Sequence, residues 1–208
     1  MAVVTDRPLR ADAARNADRI LRAARDVYAE LGPDAPMETI ARRAGVGERT
    51  LYRRFPTKGE LARAVIDQSI AETLSPVIER ALRSRNPLRG LANLIEAAIA
   101  LGAREHSALT AARQTRSLTD VSVPLDAALA ELTRRAQAAG LVRADLVADD
   151  LPRMVAMLYS VLATMDPASD GWRRYVALMV DAIATSNPSR LPRAVPIDFR
   201  QRQEEWPI

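Results

Sequence analysis

Cysteine is absent from this 208-residue chain. That excludes a disulfide framework and a thiolate metal site, and it makes the cytoplasm the expected compartment. Aromatic residues make up only 4% of the chain. Strands favour aromatic and β-branched residues while helices favour Ala, Leu and Arg, so this Ala-, Leu- and Arg-rich composition predicts an all-α protein. No apolar run approaches the roughly 20 residues of a membrane span. The N-terminus, with Asp6, Asp12 and several arginines, has no apolar stretch of a secretory signal. A soluble protein with no membrane partner is therefore expected. The one histidine, His106, has no cysteine or carboxylate cluster to join, so it reads as a surface or satisfied residue; no metal and no cofactor are expected. A nucleophile–base pairing, a phosphate-cradling glycine loop and metal-ligand spacing are also missing, which argues against an enzyme.

What is present is ordinary in amount and uneven in placement. Hydrophobic residues make up 48% of the chain and charged residues 27%, within the globular range, and the length suits one domain or two small ones. The net charge is +4. Residues 1–64 carry 13 basic and 9 acidic side chains, whereas residues 65–208 carry 17 of each. All of the excess positive charge therefore sits in the first third, as expected of a nucleic-acid-binding head on a body with another task.

From Asp12 onward, Ile20, Leu21, Ala24, Val27, Tyr28 and Leu31 fall at the spacing of one buried helical stripe, which predicts a helix over 13–31. Gly32 and Pro33 end it. A short second helix follows, with Pro36 in its first turn, Ile40, Ala41 and Ala44 on its inner face, and Gly45 as its stop. A third helix is expected over 48–54. Leu51 and Phe55 lie four apart and point the same way, so Arg49 and Arg53 project from the opposite side with Thr50 and Tyr52 on the flanks. Thr57 and Glu60 have capping-box spacing, and Pro56 with Leu61 fits a hydrophobic staple at the start of a fourth helix. Lys58 in that first turn opposes the helix dipole unless an anion such as a DNA phosphate lies nearby. Two short helices joined by a glycine turn form either a helix-turn-helix over 36–55 or an ordinary helical corner with a solvated basic face.

The segment Ile40-Ala41-Arg42-Arg43-Ala44-Gly45-Val46, followed by Thr50-Leu51-Tyr52-Arg53-Arg54-Phe55-Pro56-Thr57-Lys58, resembles the N-terminal domain of TetR-family transcriptional regulators without a gap. The likeness runs for nearly 50 residues and includes Ala41, Gly45, Thr50, Tyr52, Phe55 and Lys58 in register. Gly47 stands where a capping Ser is common in the family, and Arg49 where Gly is common. The resemblance implies that Tyr52, Arg54 and Lys58 contact the DNA backbone, that Thr50 also touches DNA, and that the surface carrying Arg49 and Arg53 reads bases. Arg49 can address a guanine edge or only phosphate. Arg7, Arg10 and Arg15 are either a DNA-contacting arm or a solvated tail.

After residue 64 the likeness is architectural. Apolar spacing predicts a continuation of the fourth helix to Leu82, kinked or divided by Pro76, then helices near 88–104, 106–117, 124–140, 147–165 and 171–186. The expected fold has about nine helices by this periodicity: a DNA-binding domain over 13–73, a helical effector-binding and dimerisation domain over 74–186, and an irregular tail over 187–208. The family likeness implies a homodimer on a double-stranded operator and a small-molecule cavity in the middle helices. Leu94, Ile95, Ala98, Met154, Met157 and Leu158 are the candidate lining of that cavity, although composition favours plain core over wall for each. Their apolar character points to an unidentified, mainly apolar effector. Leu151, Val155, Leu162, Trp172, Tyr175 and Met179 on the last two helices are the candidates for the subunit interface. The expected function is a repressor released from a pseudo-palindromic operator; a nonspecific architectural DNA binder is the rival reading.

Overall fold

The computed structural model describes residues 6–115, 122–147, 149–162, 164–165 and 169–184, the side chains of residues 6–14 excepted. The expected tail over 187–208 and the side chains of Arg7 and Arg10 lie outside the described residues. Every regular element among the described residues is helical: α1 (Asp6–Leu31), α2 (Met37–Ala44), α3 (Glu48–Arg54), α4 (Lys58–Ser69), a π-helical turn (Ile70–Leu74), α5 (Ser75–Leu82), α6 (Pro87–Arg104), α7 (His106–Gln114), α8 (Val123–Ala138), α9 (Asp150–Leu162) and α10 (Trp172–Ile183). Since α4, the π turn and α5 run on without a break, the described residues form nine helical rods, as the apolar spacing predicts.

The expected break at Pro76 takes the form of that π turn. Pro76 has no N–H to donate, and its ring crowds the carbonyl four residues back at Glu72. Glu72 lies inside the widened turn, which accommodates the ring without ending the helix. At its start α1 extends past the expected residue 13 to Asp6. Gly32, at φ +81°, closes the other end as its N–H donates to the Tyr28 carbonyl at 3.0 Å.

The described residues divide into two compact units. One holds the chain up to Ser69 and returns from Glu105 through Thr115; the other holds Ile70–Arg104 and the described residues from Ser122 onward. The sequence expectation placed the boundary after residue 73 and the helix near 106–117 in the second domain, so both points are corrected. Small side chains explain the second: Ala108, Ala111 and Ala112 give α7 a flush, buried face that packs on α4 and α1. A face of alanines is too weakly apolar to announce its partner in the sequence.

In the first unit, Ile20, Val27 and Tyr28 of α1 pack with Ile40, Leu51, Leu61, Val65 and Ile66, all essentially inaccessible to water. Its buried polar cluster ties three segments together. The Ser69 hydroxyl donates to Glu105 Oε1 at 2.7 Å and accepts from Arg25 Nη2 at 2.9 Å, while Arg25 Nε lies 3.4 Å from the same carboxylate oxygen. Tyr28 is buried with its hydroxyl toward the Lys58 carbonyl at 3.5 Å.

In the second unit α6 is central. Leu91, Leu94, Ile95, Ala98 and Ile99 are wholly covered by α5, α8, α9 and α10. Two glycines let neighbours come close. A Cβ on Gly90 would stand 3.0 Å from the Ala81 carbonyl and 3.1 Å from Leu132 Cδ2, and one on Gly102 would overlap the Tyr159 ring. Tyr159 is oriented there by its hydroxyl, which donates to the Ala98 carbonyl at 2.9 Å. Arg135 of α8 binds the end of α5 by donating to the carbonyls of Leu82 and Ser84 at 2.5 and 2.6 Å.

Two outcomes follow from this packing. Burial raises the Tyr28 hydroxyl from 10.0 to about 12. The folded chain therefore holds this proton where the unfolded chain has released it, and stability falls as pH rises from 10.0 toward about 12. Tyr28→Phe should flatten that part of the pH–stability curve, measured by denaturant unfolding at alkaline pH. Gly102→Ala should displace the Tyr159 ring, at a cost of about 1–3 kcal/mol for an overpacked core site, read as a lower urea midpoint.

Candidate nucleic-acid interface

The turn between α2 and α3 is set by one residue. Gly45 sits at φ +64° and ψ +37°, the left-handed region, where its N–H reaches the Arg42 carbonyl at 3.2 Å and the Val46 N–H reaches Ala41 at 3.0 Å. This paired closure satisfies the last carbonyls of α2 and turns the chain sharply. Gly47, where the family commonly has a capping Ser, is extended at φ −69° and ψ 146° and offers only its carbonyl, which accepts from Thr50 and Leu51 at 2.9 and 3.1 Å. Glu48 supplies the negative charge that favours the first turn of α3.

Within α3 the one buried side chain is Leu51, followed by buried Phe55 just past its end. Both point inward, so the rest of the helix faces outward. Of the sequence-predicted DNA residues, Arg49, Tyr52, Arg53 and Arg54 of α3 are exposed and Thr50 is half-buried, while Lys58 is half-buried at the start of α4. Arg54 stacks over the Phe55 ring at 5.6 Å, which restrains its long side chain. Among the described residues, neither Arg49 nor Arg53 has an ion-pair partner. By contrast, Arg43 of α2 is committed: it grips the Glu30 carboxylate with both terminal nitrogens at 2.9 and 2.6 Å and holds that carboxyl below its usual range. Arg49 and Arg53 thus carry charge that no ion pair among the described residues cancels, while Arg43 on α2 is neutralised by Glu30.

The start of α4 differs in detail from the expected capping box. The Glu60 N–H donates to Thr57 Oγ1 at 3.2 Å, as predicted, but the Thr57 hydroxyl in turn donates to the Glu60 carboxylate at 3.3 Å. Pro56, the outer half of the expected staple, is exposed, and Leu61 is fully buried. Lys58, the only lysine in the chain, has its Nζ 4.0 Å from Asp34 Oδ1. That carboxylate, in the turn after α1, is an anion that sequence spacing did not reveal. At 88% exposure the Asp34 side chain forms a weak pair that a phosphate can replace.

The body residues divide differently from expectation. Leu94, Ile95, Ala98 and Leu158 are buried in the second unit's continuous core, Met154 is half-buried, and Met157 points outward at 68% exposure. Met157 is thereby removed from any inner lining. Of the six interface candidates, Leu151, Val155, Leu162, Trp172 and Met179 are buried within their own chain, and only Tyr175 is exposed. The correction has a simple cause: the inner halves of the α9 and α10 stripes are already used against α6. Their outer faces carry Met157, Tyr175 and Leu178 instead. His106, the first residue of α7, is exposed. Among the described residues no three His, Asp or Glu side chains form a metal-binding cluster, and no helix is long and apolar enough to cross a membrane.

A sequence model of the family described as "Bacterial regulatory proteins, tetR family" matches residues 20–65, which include α2, α3 and the start of α4. An uncharacterized HTH-type transcriptional regulator of Mycobacterium tuberculosis is 39% identical over 67 residues, so the match covers 32% of this chain and 35% of that protein. Two crystal structures align over far more. A TetR transcriptional regulator from Streptomyces coelicolor is 30% identical with a TM-score of 0.57, over 82% of this chain and 99% of its own. A TetR regulatory protein from Mycobacterium vanbaalenii is 32% identical with a TM-score of 0.57, over 86% of this chain and 100% of its own. With the outward α3 surface and the glycine-closed turn in place, the chain belongs to the TetR family of DNA-binding transcriptional regulators.

Proposed function

We propose that this regulator is a homodimeric repressor that places two α3 helices in successive major grooves of a pseudo-palindromic operator and leaves it when a small apolar effector binds. The observation that carries the DNA-reading part is α3 itself: one side, through Leu51, is anchored in the core, and the other presents Arg49 and Arg53, neither of them in an ion pair among the described residues. Half-sites would lie one helical turn or a multiple apart, roughly 34–36 Å per turn. Tyr52, Arg54, Thr50 and Lys58 hold the backbone, and Arg49 with Arg53 faces the base edges.

The interior of the second unit supports an apolar effector. Its buried side chains are almost wholly hydrocarbon, and among its described residues the buried polar exception, Thr133, donates its hydroxyl to the Leu129 carbonyl at 2.7 Å. A molecule entering beside Leu94, Ile95, Ala98 and Leu158 would meet no free polar group there, so a polar effector would leave its own groups unpaired. The ligand acts only by binding the DNA-incompetent arrangement more tightly than the competent one. For the dimer, exposed Met157, Tyr175 and Leu178 supply apolar surface that a second copy would cover.

The DNA assignment is tested with the natural lysine. Bound operator should protect Lys58 from an amine-acetylating reagent that labels it in free protein. Lys58→Ala should lower affinity for every duplex and reduce the salt slope by about 1. Arg49→Ala should cost about 1–3 kcal/mol of preference for operator over scrambled DNA. Equal losses on both duplexes would reduce Arg49 to a phosphate contact, and equal affinity of the unaltered protein for both would favour the architectural binder.

The interface has a separate test in sedimentation. Leu178→Glu together with Met157→Glu should yield folded monomers, with operator affinity down by at least about tenfold because the second half-site no longer binds in concert. A double variant that remains dimeric would remove this face from the interface.

A further inference from the structure

An open depression of about 340 Å³ in the second unit lies between the loop after α5 and the last turn of α8. It is lined by Arg85, Pro87, Arg134, Arg135, Ala138 and Ala139, so half of its lining is arginine and none of it is acidic. This concentration of one sign lies in a region, residues 65–208, whose basic and acidic residues balance. Like charges gathered in one depression raise the local positive potential, which favours an anion shared among them.

The three guanidinium groups are not equivalent. Arg135 is held in place by the carbonyls of Leu82 and Ser84, neutral acceptors that fix its plane without cancelling its charge. Arg134 is engaged by Glu131 at 3.0 and 2.8 Å, an exposed pairing one turn apart, and Glu131 is the one carboxylate attached to the group. Arg85 is exposed and has no ion-pair partner among the described residues. Three positive charges against one negative leave a net charge of two that an anionic ligand can share. The start of α6 does not provide the site, because Asn86 Oδ1 already accepts the Arg89 N–H at 3.0 Å.

We propose that this depression binds a molecule carrying a pyrophosphate group. The whole fork of Arg85 matches phosphate oxygens two at a time, the N–H groups of Arg134 and Arg135 not already donating to Glu131 and to the Leu82 and Ser84 carbonyls add single donors, and a dianion or trianion meets the residual charge better than a single carboxylate. At about 340 Å³ the depression has room for more than a lone phosphate. Arg135 forms the fixed wall, Arg85 the closing one, and Pro87, Ala138 and Ala139 the apolar floor on which the rest of a nucleotide would lie.

The test is isothermal titration of the full-length, DNA-free protein with inorganic pyrophosphate, ADP and orthophosphate in turn. Saturable binding of one pyrophosphate per chain is expected, with orthophosphate weaker by about tenfold or more. ADP tighter than pyrophosphate would identify a nucleotide as the source, and equal affinities would identify the pyrophosphate group alone. Arg85→Ala should weaken binding about tenfold and leave thermal unfolding unchanged, since its side chain is exposed. The double variant Arg49→Ala, Arg53→Ala should bind pyrophosphate as the parent does. Non-saturable binding, binding indifferent to Arg85, or binding lost with the α3 arginines would each overturn the proposal.

Discussion

The candidate DNA-reading surface depends on one buried leucine. A helix of seven residues is far below the length at which an isolated helix holds in water, so α3 exists only because the rest of its unit holds it. Leu51 provides that hold, with Phe55 fixing the exit, and the left-handed Gly45 sets the angle at which α3 leaves α2. One anchored side leaves the greater part of the helix surface to solvent. Arg49, Tyr52, Arg53 and Arg54 are presented because Leu51 is not, and α2 is the neighbour against which α3 packs.

The first unit was legible in the sequence wherever the signal is local. Gly32 and Gly45, expected as helix stops, both have positive φ. The four-residue spacing of Leu51 and Phe55 gave the inward direction, and with it the outward placement of Arg49 and Arg53. Long-range features left no such trace. Asp34 near Lys58 is 24 positions away, Arg43 with Glu30 is 13 away, and Ser69 with Glu105 is 36 away. Spacing along the chain reports helical faces; it does not report which face of another helix arrives against them.

The second unit shows the same limit more sharply. Periodicity correctly marked α9 and α10 as apolar around much of their circumference, and the excess over one packing partner pointed to a second surface. It did not say which half belonged to which partner. Leu151, Val155, Leu158 and Leu162 recur at three- and four-residue steps and form the inner half, while Met157 lies on the outer half. On α10 the same separation divides Trp172, Val176, Met179 and Ile183 from Tyr175 and Leu178. The inner and outer residues are interleaved and equally apolar, so hydrophobicity alone assigns them interchangeably. Only the position of α6 divides them.

The Arg25–Ser69–Glu105 cluster bears on how the first unit is closed. Removing a carboxylate from water costs several kcal/mol, and a buried ion pair commonly does no better than break even against apolar packing. Its presence therefore argues for geometry over raw stability. Hydrocarbon side chains would let the last turn of α4 slide or rotate against α1 with little change in energy. A hydroxyl that must accept from Arg25 and donate to Glu105 permits one register. Ser69 and Glu105 are also the residues at which the chain leaves this unit and returns to it. Fixing both to the same arginine of α1 sets the axial position of α4, hence of Lys58 at its other end, relative to the helix whose Tyr28 hydroxyl meets the Lys58 carbonyl. The buried charge thus acts at a distance of eleven residues on the placement of Lys58 in the first turn of α4.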